Sequence, residues 1–359
     1  MTVKIVTVEN IAPALKATYG LRMHVTEDKA LIGEARGKWR IIRDPNAVGD
    51  YASAIPVNDA KIVYPTMEGM RGLKKIAVAW VQDNNAEWTG GAEFSNAHAV
   101  AVGMRCGFKI RIVTPQAFDV PTLQHADIIV LNNLFRFSVD QIRMLMRVVY
   151  EQRVPYIKYE HDHRELGRPE FSRKLFEHSV ANVFISPAHR DNHHEQIDAD
   201  GECFPLAIDT EMFRPVPGIA RKPGTALVLN VRVIKTWKHL SEYIAEHATT
   251  KFTVVGNGIA GIVRGRNVNI IPPVSLSRMP ELYSAHESLV HLPDNWCAGE
   301  RIVLEAALCG CKIIANKYVG HMSWDWDLTD ADALRERLIN APYDFWRMVD
   351  HQMIERVSA

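Results

Sequence analysis

The chain carries no surplus charge of either sign. Its 42 Lys and Arg are balanced by 42 Asp and Glu, so the formal net charge is zero. No global field draws it towards nucleic acid or an anionic membrane, although a local basic groove is compatible with a neutral average. Long apolar runs are also missing: none approaches the roughly 18 residues that a bilayer span needs. The opening residues, MTVKIVTVENIAPALK, have neither the apolar core nor the small-residue cleavage site of a signal peptide. Cysteine is scarce: there are five, an odd count, with none in C-x-x-C spacing. That argues against a disulfide framework or a zinc ribbon, and a reducing, cytoplasmic setting is expected. Internal repeats and low-complexity tracts are absent too, which excludes solenoids and disordered linkers as the main architecture.

What remains is a chain of 359 residues, 47% hydrophobic, long enough for two cored domains. Residues 1–73 show only short β-like pieces (3–8, 38–42 and 61–64) between Gly, Pro and Asp, and are read as an accessory segment. From residue 74 apolar strands alternate with helical patterns: KKIAVAWV, a helix over 92–104, FKIRIV, ADIIVLNN, a helix over 139–152, PYIKYEHD and NVFISP. A Pro- and Gly-rich stretch, RPVPGIARKPG, reads as a linker, and the alternation then restarts with ALVLNV, a helix over 238–247, KFTVV and NVNIIPP. Two helices, 330–339 and 343–356, are expected at the end. This spacing predicts an α/β fold of two Rossmann-like doubly wound domains facing across a cleft, with a small N-terminal extension. The expected divisions are 1–73, 74–215, 216–340 and a C-terminal helix at 341–359 that packs back across the interdomain region.

Residues 287–321 are the stretch around which the second domain is organised. They read as a strand, a polar loop broken by Pro293 and Asp294, a helix closed by Gly310, and a second strand. The loop places Glu300 and Arg301 at a helix start beyond the carboxyl end of a strand, with Glu305 one turn on. In an open α/β sheet that is where a phosphorylated ligand binds. GNGIAG contributes Gly256 and Gly258 directly after a strand, but the next strand follows too closely for a dinucleotide-binding helix, so an NAD site is not expected. TGGAEF offers Gly90 and Gly91 at another helix start. In VRVIKTWKH, Arg232, Lys235 and Lys238 surround a strand end, where cations can clamp a diphosphate leaving group. EHDHRE ends a strand with His161, Asp162 and His163. A metal site shared with His189, His193 and His194 lacks the H-E-x-x-H frame, so no metal is expected there. A His–Asp pair that contacts a sugar or handles a proton is the reading kept.

Together these segments resemble GT-B glycosyltransferases of the large retaining, nucleotide-sugar-dependent family. GGAEF resembles its first Gly-rich loop, YEHDH its strand ending in His-Asp, and FPLAIDTEMFRP its segment before the interdomain linker. NVRVIKTWKHL resembles the phosphate clamp, FTVVGNG its strand and turn, and ERIVLEAALCGCKIIA the second half of the E-x7-E motif. The resemblance implies that Glu305 serves the donor ribose, Arg232 and Lys238 the diphosphate, His161 the transferred sugar, and Gly91 the phosphates. From the residues themselves, Gly90, Gly256, Gly258, Glu300 and Arg301 are expected as further donor-side residues and Asp162 as a sugar or acceptor contact. The first glutamate of E-x7-E falls at Cys297, and Glu300 stands where the family has glycine. The activity implied is transfer of a sugar from a nucleoside-diphosphate sugar, UDP or GDP, to an acceptor hydroxyl, metal-independent, with no cofactor beyond the co-substrate. The acceptor is left open among a glycan, a small molecule and a hydroxymethylated DNA base of the phage type. The other reading is a non-catalytic shell that binds nucleotide sugars.

Overall fold

A computed structural model describes residues 76–83, 91–162, 169–229, 238–256 and 265–358, together with the backbone of four short strands before residue 44. Those strands, β1 (Lys4–Ile5), β2 (Arg22–Val25), β3 (Leu31–Ala35) and β4 (Lys38–Arg43), form an antiparallel meander. The expected β-like piece at 61–64 lies outside the described residues. The chain divides into two compact units. One joins Met1–Phe184, Arg190–Ala207 and Ile339–Ala359; the other joins Ile185–His189 and Ile208–Leu338.

The first unit holds a six-stranded parallel sheet. In chain order its elements are β5 (Ala77–Val81), α1 (Gly91–Arg105), β6 (Lys109–Val113), α2 (Val120–Gln124), β7 (Ile128–Leu131), α3 (Val139–Met146), β8 (Tyr156–Tyr159), α4 (Pro169–Glu177), β9 (Ala181–Phe184), α5 (Pro187–Ile197) and β10 (Glu202–Cys203). The strand order is β10-β9-β8-β7-β5-β6, every neighbouring pair parallel. All residues of β7 and β8 are buried, as strands covered by helices on both faces must be. Gly107 ends the turn after α1 with φ +96, where a side chain would be strained. Ser138 caps α3 through a reciprocal capping box with Gln141. The helix expected over 139–152 is α-helical to Met146 and closes in a π-type turn, Arg147–Glu151.

The second unit holds a five-stranded parallel sheet: β11 (Lys222–Val228), α6 (Lys238–Glu246), β12 (Lys251–Val255), β13 (Val268–Ile271), α7 (Met279–Ala285), β14 (His286–His291), α8 (Arg301–Leu308) and β15 (Lys312–Ala315). The order is β13-β12-β11-β14-β15. β11 starts inside the stretch expected to be a linker. All eight residues of α8 are buried, and Gly310 follows with φ +81.

The two terminal helices expected from the sequence are one helix, α9 (Ala331–Ser358), which runs through Pro342. The proline costs one backbone hydrogen bond, and packing on both sides of it offsets that loss. Leu334 and Leu338 join the second unit's core. Further on, Trp346 is fully buried in the first unit, against Trp80, Phe108 and Phe345. Its Nε1 donates to the Ala99 carbonyl at 2.7 Å. A Cβ on Gly103 would overlap the Trp346 ring, so α1 needs glycine at that point of approach.

Candidate functional site

Ligands of open α/β sheets bind beyond the carboxyl ends of the strands, where the strand order reverses. In the second unit the reversal lies between β11 and β14, which pair in parallel (Ala226 with Ser288, Leu227 with Leu289). The loop after β11 contains Arg232 and Lys235, which lie outside the described residues. The loop after β14 is residues 292–300; it ends in Glu300, and Arg301 and Glu305 follow in α8.

Asp294 in that loop caps α6. Its carboxylate accepts the backbone N–H of Lys238 at 2.8 Å and of His239 at 3.1 Å. It also lies 2.8 Å from His239 Nδ1. Lys238 is the first residue of α6 and is exposed. The loop is braced from behind. Cys297 N–H donates to the Tyr318 carbonyl at 2.8 Å, and Gly320 N–H donates to the Cys297 carbonyl at 2.8 Å. A Cβ on Gly320 would overlap the Ala298 carbonyl oxygen, so this close passage of two loops depends on glycine.

Glu300 precedes α8 and makes no side-chain cap. Arg301 and Glu305 are buried together: Arg301 Nε lies 2.8 Å from Glu305 Oε1. Tyr283 Oη donates to Glu305 Oε2 at 3.1 Å. Burial first, and then the Glu305 charge, pushes the Tyr283 hydroxyl well above its usual range, so it remains a donor. Both oxygens of Glu305 are therefore engaged and its carboxylate is held in one orientation. The sequence locates Glu305 and Arg301 but does not reveal that each is the other's partner. Only the i, i+4 spacing hints at it.

His321 lies against Gly299, next to Glu300. Burial lowers its pKa to about 4, opposed by the nearby Glu300 carboxylate, and its ring nitrogens have no hydrogen-bond partner among the described residues. Nothing in the sequence around His321 marks it as a site residue. Gly256 closes β12, its N–H donated to the Ile271 carbonyl at 3.1 Å, so that amide serves the sheet. Gly258 lies outside the described residues.

In the first unit the order reverses between β5 and β7. Asp83, after β5, accepts the N–H groups of Phe135 and Arg136 at 3.0 Å each, tying together the two loops that flank the reversal. Gly91 is the exposed first residue of α1, while Gly90 lies outside the described residues. Beside β7, strand β8 ends in Glu160, His161 and Asp162. Lys158 and Glu160 form a fully buried ion pair at 2.8 Å. The other Glu160 oxygen accepts the N–H of His161 and of Asp162, both at 3.0 Å. The His161 ring rests on Tyr159, with 4.3 Å between centroids, and is only 8% exposed. Neither of its ring nitrogens has a hydrogen-bond partner among the described residues. Burial, reinforced by the Lys158 charge, lowers its pKa to about 3. At neutral pH it is an uncharged imidazole with two unused polar atoms.

Of the neighbouring histidines, His193 packs against Phe176 and Phe184, and the Ile185 N–H donates to His189 Nδ1 at 3.4 Å. His163 lies outside the described residues. Among the described residues, one group of three has metal-ligand spacing, and it lies elsewhere: His291, Cys297 and Glu300.

No protein-family model matches the chain, and no curated protein matches it in sequence. Solved structures do share its fold. Sucrose-phosphate synthase from Thermosynechococcus elongatus aligns over 79% of this chain and 99% of its own, at 13% identity and a TM-score of 0.55. An alpha-glucosyltransferase in complex with UDP and a 13-mer DNA containing an HMU base aligns over 79% and 100%, at 11% identity and a TM-score of 0.54. AviGT4, a glycosyltransferase involved in avilamycin A biosynthesis, aligns over 79% and 98%, at 13% identity and a TM-score of 0.53. The chain has the α/β fold of the GT-B glycosyltransferases, built from two Rossmann-like domains.

Proposed function

We propose that this chain is a glycosyltransferase that moves a sugar from a nucleoside-diphosphate sugar to an acceptor hydroxyl. The observation that carries this reading is Glu305. It is a buried carboxylate fixed by Arg301 and Tyr283, on a helix that begins beyond the switch point of a GT-B sheet. A carboxylate held in that way suits paired ribose hydroxyls, which need two acceptors in a fixed plane. Lys238, with Arg232, supplies positive charge for the diphosphate as it departs, and the first turns of α6 and α8 add their dipoles. This electrostatic support stands in for a metal bridging the phosphates, and no cofactor beyond the co-substrate is invoked. His161, neutral at working pH, donates or accepts a hydrogen bond at a sugar hydroxyl, with Asp162 beside it. Retention of anomeric configuration is part of the proposal. UDP is the first donor to test, because the alpha-glucosyltransferase of this fold was solved with it.

That same structure holds DNA, which favours one second reading: a hydroxymethylated base in DNA as the acceptor. Phosphate contacts make such turnover fall steeply with salt, whereas a small acceptor would leave it nearly flat. The test is nucleoside-diphosphate release from UDP- and GDP-sugars over an acceptor panel that includes such DNA. Lys238→Ala should keep its fold and lower kcat/KM by about 100-fold, the scale of one transition-state donor. Unchanged turnover would remove Lys238 from the mechanism.

A further inference from the structure

Three side chains of different donor chemistry meet at the end of β14. His291 is the last residue of the strand, Cys297 lies in the following loop, and Glu300 immediately precedes α8. One imidazole nitrogen, the thiol sulfur and one carboxylate oxygen lie within 4.8 Å of one another. His291 is 3% and Cys297 4% exposed, and Glu300 is half-buried. A tetrahedral zinc ion with bonds of about 2.0–2.3 Å needs its donors about 3.3–3.8 Å apart, so small side-chain rotations would close this set.

Backbone pairing brings two of them together. His291 is paired in the sheet with Ala315, and Cys297 is bridged to Val319 on the loop behind. The neighbouring cation, Arg301, directs its Nε to Glu305. The donor set also selects the ion. A thiolate and an imidazole suit zinc and its borderline-soft relatives, whereas magnesium and calcium require oxygen shells. Three protein ligands leave one coordination place for water, the pattern of an open zinc site.

We propose that His291, Cys297 and Glu300 bind one zinc-class divalent ion, in a His-x5-Cys-x2-Glu arrangement on the loop between β14 and α8. The ion ties the strand end to the helix start and fixes the loop that carries Asp294. The proposal does not rest on sugar transfer, because it is read from metal binding alone.

The experiment uses the full chain, stripped with a chelator and titrated with Zn2+ or Co2+. The expected result is one tightly held equivalent of Zn2+. Co2+ should give an intense four-coordinate visible spectrum with a sulfur-to-metal charge-transfer band. Cys297→Ala should lose that band and weaken Zn2+ binding by more than about 100-fold, beyond what an outer-shell change costs. Glu300→Gln, a near-isosteric change at a half-buried position, should weaken binding while leaving the circular dichroism spectrum unchanged. Two results would overturn the proposal: no stoichiometric ion in the stripped and reloaded protein, or an unaltered Co2+–thiolate band in Cys297→Ala. The latter would place the metal on one of the other four cysteines, Cys106, Cys203, Cys309 or Cys311.

Discussion

Glu160 does two jobs with its two oxygens. One neutralises a lysine that has no access to water; the other holds the two backbone N–H groups that set the direction of His161 and Asp162. Glu160→Gln would remove the carboxylate that neutralises the buried Lys158 ammonium, which costs about 3–5 kcal/mol. Adding Lys158→Met removes the buried positive charge and keeps the amide oxygen as acceptor. The double variant should therefore recover most of the stability by chemical denaturation; equal instability of both variants would mean that packing, not charge, is at stake. His161 makes a separate prediction. Its folded pKa is depressed to about 3, so below the ordinary histidine value of about 6.5 the unfolded chain takes up a proton that the folded chain refuses. Its contribution is intact above pH 6.5 and is lost as the pH falls towards 3. In denaturant titrations, His161→Gln should flatten that decline between pH 6.5 and 4, and an unchanged slope would contradict the neutral ring.

At the scale of elements, the sequence was informative where physics is local. Apolar runs marked every long strand of the two parallel sheets, and Gly107 and Gly310 marked helix ends that do have positive φ. It was uninformative where tertiary contacts decide. Pro342 reads as a helix break, yet α9 passes through it because Leu338 on one side and Trp346 on the other are both anchored in cores. Arg301 and Glu305 read as charges offered to a ligand, whereas much of their charge faces each other. Cys297 read only as a missing glutamate. Its meeting with His291 and Glu300 depends on the bridge to Val319, which no spacing rule anticipates. Arg232, Gly90 and Gly258 lie outside the described residues, so their expected roles rest on the sequence. The seating of α9 is open to test through Gly103. Gly103→Ala should cost about 1–3 kcal/mol, because its methyl group overlaps Trp346. Combined with Trp346→Phe, the two losses should be less than additive; strict additivity would mean that the contact does not exist.

For the whole molecule, the two doubly wound sheets and their switch points follow from strand order alone. β5 and β11 each lie between the strand that follows them and a later one. In such a sheet ligands bind at the loops after β11 and β14, and those loops lead into α6, which Asp294 caps, and α8, which holds the buried Glu305. The central claim is that this place binds a nucleoside diphosphate. Isothermal titration of the wild-type chain with UDP, GDP and ADP, repeated with Glu305→Ala, tests it most directly. The account predicts one diphosphate bound at a single site, with affinity reduced at least about tenfold in the variant, or about 1.4 kcal/mol. Binding of none of the three, or equal affinity in the variant, would contradict it.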